Sequence, residues 1–322
     1  MSIFKTILLS IMKPTILVGG QAVIEGVMMR VPGAYATAVR DPNGKIHVDK
    51  KKYSSIGERS AFWRKPILRG MAGLYESMKM GMETLQWSAD IAMPTESNKP
   101  KNKFADLLSS LFAIVLAISL FMIAPMWLTT NLLDVEKEAV LFNIASGFFR
   151  ITFFIIYLFL ISRMNDVKRL FQYHGAEHRV VYNFESGKKI SIINAQNFPT
   201  QHPRCGTSFM FIVLLSAIIV FSIIDSLIMI FTGHINLISR LLFHLPMIPF
   251  VAGISYELIK ISSRNENLFF RILRKPGLWL QNITTKKPED EMVEVAITAL
   301  EKAFGKKLDS MTGKQYVAEA VG

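Results

Sequence analysis

The sequence predicts an α-helical membrane protein with about four transmembrane helices and a small cytoplasmic α+β module built from two β-hairpins and amphipathic helices. Of its 322 residues, 51% are hydrophobic and only 19% are charged, whereas roughly 25% of a soluble domain is charged. Four apolar stretches of bilayer length are the third observation behind this fold class. We therefore expect part of the chain to lie in lipid, with membrane lipids as its immediate partners.

These four stretches are long enough to cross a hydrocarbon core of about 30 Å at a rise of about 1.5 Å per residue. The first carries no charged side chain, and the second and third carry one each. The fourth carries Arg240, His244 and Glu257, together with two prolines that predict a kink. The stretches are residues 107–128, 139–162, 207–231 and 235–259.

The predicted spans divide the chain into five segments. Two are transmembrane pairs, and the other three are cytoplasmic: an N-terminal segment with a hairpin and an amphipathic helix, a loop rich in histidine, and C-terminal helices with a tail. In chain order they are residues 1–106 (cytoplasmic), 107–162 (first pair), 163–206 (loop), 207–259 (second pair) and 260–322 (cytoplasmic).

Lysine and arginine predict the orientation of the spans. Residues 1–106, 163–206 and 260–322 hold 16, 7 and 11 of them, which is 34 of the 37 in the chain. Because basic residues are enriched in cytoplasmic loops, we predict a multi-pass protein of the cell membrane with both termini in the cytoplasm. This pattern accounts for most of the net charge of +12, so nucleic acid is not an expected partner except through a ribosome contact.

Turn signals predict two β-hairpins in the cytoplasmic segments. Residues 35–49 contain Asn43-Gly44 between apolar runs, and Asn-Gly supplies the positive φ of a tight hairpin turn. Residues 180–194 contain Ser186-Gly187 in a similar setting, so we expect a second hairpin there. A helical pattern with one apolar face follows Pro66. A final helix is expected over residues 288–304, whose first turn contains three acidic side chains after Pro288.

The sharpest motif in the loop is His-Gly-Ala-Glu-His at residues 174–178. On a helix, His174 and His178 lie about 40° apart, so both imidazoles can reach one ion. Glu177 is close enough to contact a water on that ion, and the order H-x-x-E-H is that of the inverzincin metalloproteases, in which the glutamate acts as the base. The alternative is a polar helix end whose side chains hydrogen-bond the backbone or Arg179.

A second polar cluster at the other end of the loop contains His202 and Cys205. Zinc accepts imidazole and thiolate, so either residue is a candidate third ligand. Glu257, near the cytoplasmic end of the fourth span, is another; otherwise it snorkels or pairs with Lys260 or Arg204. Cys205 is the only cysteine, which excludes an internal disulfide.

Glu25 lies in a Gly-Gly-containing run over residues 19–30. The paired glycines suggest a phosphate-binding loop, but no Gly-Lys-Ser/Thr sequence follows them, so the support for such a loop is weak. Between apolar neighbours, Glu25 either points inward from a strand towards the histidines, as a second candidate catalytic carboxylate, or pairs with Arg30 or Arg69 on a solvated face.

Three separated motifs carry a resemblance to a known family. Residues 19–30, 173–178 and 202–209, in this order, resemble the bacterial YqhQ family of multi-pass membrane proteins. The resemblance extends from about Pro14 to about Leu300. It implies the membrane architecture and a metal-dependent activity, and it specifies no reaction.

Ionisable side chains inside the spans are a separate signal. Asp225 and Arg240 fall near the outer ends of adjacent spans, which predicts a structural ion pair. Arg150 lies near the middle of its span, where a charge costs about 2.5–3.5 kcal/mol on insertion scales. We expect it to face a partner, a cavity or another subunit, with His244 lining the same polar path.

Two function hypotheses follow from these residues. The first is a membrane-embedded, zinc-dependent, hydrolase-like enzyme with its site at the cytoplasmic face: Zn²⁺ held by His174 and His178, with His202, Cys205 or Glu257 completing the shell, and Glu177 activating water. The second is a non-enzymatic membrane assembly, lipid-handling or translocon- or ribosome-associated scaffold protein, in which the polar clusters are structural. An oligomer or another membrane protein is the expected protein partner.

Overall fold

The computed structural model describes residues 18–94, 103–263, 265 and 267–313. The described part of the chain begins with a four-stranded antiparallel sheet in which neighbouring strands follow one another in sequence. The strands are β1 (Gly19–Val23), β2 (Gly26–Val31), β3 (Ala34–Arg40) and β4 (Ile46–Lys52).

The rest of the described chain is mostly helical. The α-helices are α1 (Ile56–Arg59), α2 (Leu68–Ala92), α3 (Lys103–Ile118), α4 (Ala124–Leu133), α5 (Ala139–Ile161), α6 (Asn165–Glu185), α7 (Ile192–Gln196), α8 (Gly206–Thr232), α9 (Leu237–Ser263), α10 (Leu268–Thr284), α11 (Asp290–Phe304) and α12 (Leu308–Met311). Short 3₁₀ turns occupy Phe62–Arg64 and Gly305–Lys307, and a π-helical turn, Ser119–Ile123, joins α3 to α4.

One predicted hairpin is confirmed and the other is wrong. β3 and β4 form the hairpin expected over residues 35–49, and Gly44 has the positive φ (84°) that its turn requires. The segment 180–185, predicted as a strand, instead completes helix α6, because Val180, Val181 and Phe184 are buried against the sheet and α11. Tertiary packing thus overrides the β-preference of these residues. The other hairpin of the sheet is β1–β2.

The sheet and two helices form one core. Side chains of β2 and β3 pack against α6 and α11, so the first described residues and a helix near the C-terminus share a single apolar interior. Helix α11 begins at Asp290, within the range predicted for the final helix, and its first turn is acidic, as suits the positive end of a helix dipole. On another side of the sheet, Met28 and Tyr35 contact Met80 of α2.

Four helices are long and apolar enough to cross a membrane, as predicted: Leu107–Leu133, Ala139–Ile161, Gly206–Thr232 and Leu237–Ser262. The third packs against the second and the fourth. Helix α8 ends at Gly233, whose left-handed conformation (φ 74°) is the usual helix stop. Helix α6 begins soon after the second apolar helix ends, and α8 is the third apolar helix. Residues 186–205, which connect α6 to α8, therefore lie at the junction of the apolar helices and the sheet module.

Polar side chains meet between these apolar helices. The predicted Asp225–Arg240 ion pair is present, and Asp225 also accepts hydrogen bonds from Asn143 (2.7 Å) and His244 (2.8 Å). Arg150 is buried with its guanidinium 5.4 Å from the Phe221 ring centroid. Two of its nitrogens have no hydrogen-bond partner within the described part of the chain.

Candidate metal centre

Helix α6 places the two histidines of the predicted motif side by side, with their ring centroids 4.5 Å apart. The Nδ1 atom of His174 lies 2.9 Å from the backbone carbonyl of Thr284, and Nδ1 of His178 contacts the carbonyl of Thr200. A carbonyl only accepts, so each Nδ1 carries the proton, and Nε2 is the atom left to bind an ion. A histidine metal ligand commonly has such a hydrogen bond behind it.

Cys205 brings the third ligand atom. It is the N-cap residue of α8, and its Sγ accepts a hydrogen bond from the backbone N–H of Thr207 (3.4 Å). The Sγ atom lies 3.2 Å from Nε2 of His174. One ligand atom from each of His174, His178 and Cys205 lies within 4.8 Å of the other two. Neighbouring ligands of a tetrahedral zinc ion are about 3.3–3.7 Å apart, which is close to the one 3.2 Å separation between Sγ and Nε2. Imidazole and thiolate are donors that zinc accepts, so this cluster could hold a metal ion.

The charges of this group also favour a cation. Burial opposes a charge on either residue of the His174–Cys205 pair, but each stabilises the charged form of the other. The pKa of His174 is raised to about 9, and the pKa of Cys205 lies well below its usual range. A proton is therefore shared between a thiolate and an imidazole, and a metal ion can take its place on the same two atoms.

Glu177 lies beside the ligand atoms without belonging to the group. One of its carboxylate oxygens is 3.5 Å from Nε2 of His178, and its side chain is only 6% exposed. Both residues line a cavity of ≈ 40 Å³ together with His174 and Cys205, which is room for an ion or a water molecule. The carboxylate is therefore placed to accept a proton from a water in this cavity.

Two glycines let the backbone approach the site closely. A Cβ on Gly20 of β1 would lie 2.2 Å from the carbonyl of Met28 and 3.0 Å from the side chain of Glu177. A Cβ on Gly175, inside the motif, would lie 2.0 Å from the carbonyl oxygen of Lys286. Gly175 thus permits α6 to pack against the residues that directly follow α10. The last residue of α10, Thr284, supplies the carbonyl that contacts His174.

His202 lies next to the ligand group but outside it. Its ring is 5.5 Å from that of His178, and its backbone is fixed by Gln281 through hydrogen bonds of 2.7 and 2.9 Å. Burial and the nearby His178 lower the pKa of His202 to about 4, so its ring is neutral. Its carbonyl accepts the N–H of Cys205 (3.2 Å). His202 therefore supports the turn that presents the thiol, and of the three candidates for the third ligand the structure brings Cys205 to the histidines.

The other two carboxylates predicted for the site, Glu257 and Glu25, form ion pairs with arginines instead. Glu257 binds the guanidinium of Arg69 on α2, with Nε at 2.7 Å, and also accepts the N–H of Ile67 (3.2 Å). This ion pair satisfies the charge that made Glu257 a candidate ligand, and its partner is neither Lys260 nor Arg204 as weighed above.

Glu25 occupies the turn between β1 and β2 with a positive φ of 49° and so does not point inward from a strand. It binds Arg169 through two hydrogen bonds of 2.6 Å and accepts the hydroxyl of Tyr173 (3.2 Å). Its alternative partners, Arg30 and Arg69, are not involved in these contacts.

Sequence reasoning missed the backbone carbonyls of Thr200 and Thr284, which orient the two histidines. No residue type marks such a carbonyl, so no sequence signal could have found them. The sequence analysis considered Arg69 only as a partner for Glu25. Glu257, a carboxylate in a predicted span, also needed a partner, and the positive charge of Arg69 was a signal that this residue could provide one.

The fold and the site together define a class of protein: four helices of membrane-spanning length are joined to a small sheet-and-helix module, with a candidate metal centre at the junction. The family described as "Protein of unknown function (DUF1385)" matches residues 65–306, and the chain belongs to this family. The chain is 31% identical to the "Uncharacterized protein YqhQ" of Bacillus subtilis (strain 168), over 87% of this chain and 89% of that protein. The resemblance to the YqhQ family is thereby confirmed. No solved structure matches the chain.

Proposed function

We propose that this protein is a membrane-embedded, zinc-dependent enzyme of the hydrolase type, with its site at the cytoplasmic face. The observation that carries the proposal is the convergence of two imidazole Nε2 atoms and one thiolate, each imidazole oriented by a backbone carbonyl, beside the buried carboxylate of Glu177. Three protein ligands and an adjacent carboxylate are the composition of a catalytic zinc site.

Each side chain has a definite task in this proposal. His174, His178 and Cys205 would hold the ion. A zinc ion there would supply Lewis-acid chemistry and make a water molecule easier to deprotonate. Glu177 would accept the proton of that water and return it to the leaving group.

The membrane placement is part of the proposal. Four apolar helices support a multi-pass protein. Of the 37 basic residues, 34 fall in the three segments that the sequence predicts to be cytoplasmic, which supports a sheet module that faces the cytoplasm. We expect a cysteine at exposed position Ser186 to be protected from an impermeant maleimide in intact cells, and a cysteine at exposed His234 to react, both in a Cys205→Ser background. Labelling at Ser186 from outside would reverse the orientation.

Metal analysis of purified variants tests the metal centre itself. We expect stoichiometric zinc in the wild type and at least about a tenfold loss of zinc affinity in His178→Ala. Removing only the hydrogen-bond partner of a metal ligand already lowers metal affinity by about tenfold or more, and this variant removes the ligand itself. Glu177→Gln preserves the shape and should retain zinc. His234→Ala is the matched control, since His234 is exposed and lies at the far end of α8.

The outcomes separate the hypotheses. Wild-type protein without stoichiometric zinc, prepared in the absence of chelator, would refute the zinc enzyme. It would favour the non-enzymatic assembly, lipid-handling or scaffold function. Zinc lost in Glu177→Gln would make Glu177 a ligand, and its role as the base would be wrong.

A second candidate function follows from one distance, the 3.2 Å between Sγ of Cys205 and Nε2 of His174. A thiol paired with an imidazole at the start of a long helix is also the arrangement of a cysteine nucleophile. Cys205 is the only cysteine, so alkylation by iodoacetamide reports on it alone. Zinc should slow this alkylation if it occupies the site, whereas rapid alkylation unaffected by zinc or chelator would favour the nucleophile.

A further inference from the structure

Strand β1 is an edge strand whose first residues lie beside the candidate metal centre. Among the described residues, its only neighbour in the sheet is β2. Val18, Gly19 and Gly20 line the ≈ 40 Å³ cavity that Glu177 and Cys205 also line. A cavity of this size holds a carbonyl group and a water molecule, so most of a larger substrate must lie along a surface that leads into it. The outer edge of β1 is such a surface.

The hydrogen-bond pattern of the sheet shows which backbone groups of β1 point outward. The N–H of Arg40 in β3 donates to the carbonyl of Glu25, just before β2 (2.9 Å). Because successive residues of a strand direct these groups to opposite sides, the odd-numbered residues of β2 bond to β3 and the even-numbered ones bond to β1. The partners of the even-numbered residues are Gly19, Gln21 and Val23.

The N–H and C=O groups of Gly20 and Ala22 therefore point away from the sheet. Both residues are half-buried, and no residue in the described ranges forms a hydrogen bond with these groups. A row of such unpaired groups is a template on which another extended chain can pair.

The two edges of the sheet differ in how they are protected. At the opposite edge, β4 ends in three exposed lysines, residues 50–52, and lysines on an edge strand hinder pairing with another chain. The sequence of β1 is Gly-Gly-Gln-Ala-Val, which contains neither a charge nor a proline. The edge beside the candidate centre is thus the one that remains suited to a further strand.

We propose that β1 binds an extended polypeptide segment as a fifth strand of the sheet, and that polypeptides are the substrate class of the adjacent centre. Hydrogen bonds to the main chain of Gly20 and Ala22 hold the segment. A Cβ on Gly20 would lie 3.0 Å from Cγ of Glu177, so a peptide carbonyl beside Gly20 reaches the cavity. The peptide site rests on the free edge, whereas its role in supplying substrate rests on the proposed zinc-dependent function.

The reaction is the hydrolysis of one peptide bond. The oxygen of a water molecule bonds to the carbonyl carbon, and the C–N bond breaks. Glu177 accepts a proton from the water and transfers it to the nitrogen, which leaves as an amine. The other product is a carboxylic acid, and no oxidant or further co-reactant is required.

Hydrogen exchange tests the peptide site directly at the groups that carry it. The probe is reduced and carboxymethylated α-lactalbumin, which is unfolded, and native α-lactalbumin is the folded control. Full-length Glu177→Gln in nanodiscs is used so that the probe is not consumed. With the unfolded probe at about ten times its Kd, exchange of the Gly20 and Ala22 amides should slow about tenfold. Exchange in β4 should not change, and the folded control should have no effect.

Matched proline variants make the test specific. Ala22→Pro removes an outward N–H and places the proline ring at the edge, while the ladder to β2 keeps its hydrogen bonds. It should weaken binding of the unfolded probe about tenfold. Lys50→Pro makes the same change at the outer edge of β4, because the N–H of Lys50 also points outward, and should leave binding unchanged. The exchange measurement needs no change at the edge, so it decides the question even if Ala22→Pro fails to fold.

Unchanged exchange at Gly20 and Ala22 with the probe bound, or full binding by folded Ala22→Pro, would overturn the peptide site. Amides that are protected without the probe and become unprotected when residues 1–17 are deleted, or when a dimer is diluted, would also overturn it. In those cases the chain's own segment or a second copy occupies the edge.

Zinc content and cleavage of the probe by the wild type separate this site from the proposed function. Protection in protein that holds no zinc would support the peptide site and refute the zinc-dependent function. Zinc and protection without cleavage would refute polypeptides as the substrate class. Full zinc occupancy without protection would refute the peptide site and leave the metal centre standing.

Discussion

Substituting alanine for Gly175 tests whether close packing around the histidine motif determines the site. In an exposed helix interior, replacing glycine by alanine stabilises the helix by about 1 kcal/mol. At Gly175 the new Cβ would lie 2.0 Å from the carbonyl oxygen of Lys286, where ordinary contact begins at 3.4 Å. The carbonyl must therefore retreat by about 1.4 Å.

That displacement has two costs. It strains the hydrogen bond between the N–H of Lys286 and the carbonyl of Phe171 (2.9 Å), and it moves the end of α10, whose Thr284 carbonyl orients His174 (2.9 Å). Overpacking of this kind costs about 1–3 kcal/mol, so the helix-propensity gain is cancelled or exceeded. We expect Gly175→Ala to lower the free energy of unfolding by up to about 2 kcal/mol and to weaken zinc binding about tenfold or more.

Thermal unfolding in detergent and zinc titration measure the two effects. Gly73→Ala is the matched control, because Gly73 also lies inside a helix, α2, and a Cβ there meets nothing within 4 Å. It should be stabilising by about 0.5–1 kcal/mol and leave zinc unchanged. If Gly175→Ala proves as stable as Gly73→Ala and retains full zinc affinity, the packing argument is wrong.

Four further substitutions test contacts away from the candidate centre. Asp225→Asn removes the carboxylate that pairs with Arg240 and accepts from Asn143 and His244; it should lower stability by about 3–5 kcal/mol in denaturation experiments, with zinc retained. Arg150→Leu removes a buried charge that has two unsatisfied nitrogens; we expect an unchanged or raised unfolding temperature, and a lowered one would show that Arg150 has a stabilising partner. Glu257→Gln should weaken the pairing with Arg69 by about 1–3 kcal/mol and leave zinc content unchanged, whereas zinc loss would return Glu257 to the ligand set. Glu25→Gln breaks a half-exposed pair, so its effect should stay below about 1 kcal/mol, again without zinc loss in elemental analysis.

The parts of the fold that the sequence predicts are those in which a local pattern determines the structure. Four long apolar stretches can only be helices in a hydrocarbon environment, and Asn43-Gly44 requires a particular turn. No local sequence pattern determines the structure of the segment at Val180 and Val181. Its β-branched residues suit a strand, yet their burial against α11, more than a hundred residues later, makes them the end of a helix.

In the candidate site, too, the sequence predicts what a local pattern determines and does not predict what depends on tertiary contacts. His174, Glu177 and His178 share one helix, so their proximity follows from helical periodicity alone. The choice among His202, Cys205 and Glu257 depends on contacts between distant segments. Gln281 forms a hydrogen bond with the backbone of His202, and Arg69 forms an ion pair with Glu257. Neither contact leaves a signature in the spacing of residues, so three candidates for the third ligand were equally plausible from the sequence.

The carbonyl of Thr284 behind His174 has a consequence for biosynthesis. These two residues are 110 positions apart, and both α8 and α9 lie between them. On a translating ribosome, His174 and His178 emerge long before α10 does, and for that interval His174 lacks the carbonyl that fixes its ring. The complete centre therefore forms only after the last two apolar helices are in place and α10 has docked. If the centre binds a metal, loading would accordingly come late in the maturation of this protein, and a nascent chain stalled before α10 would carry the three candidate ligands in an unassembled state.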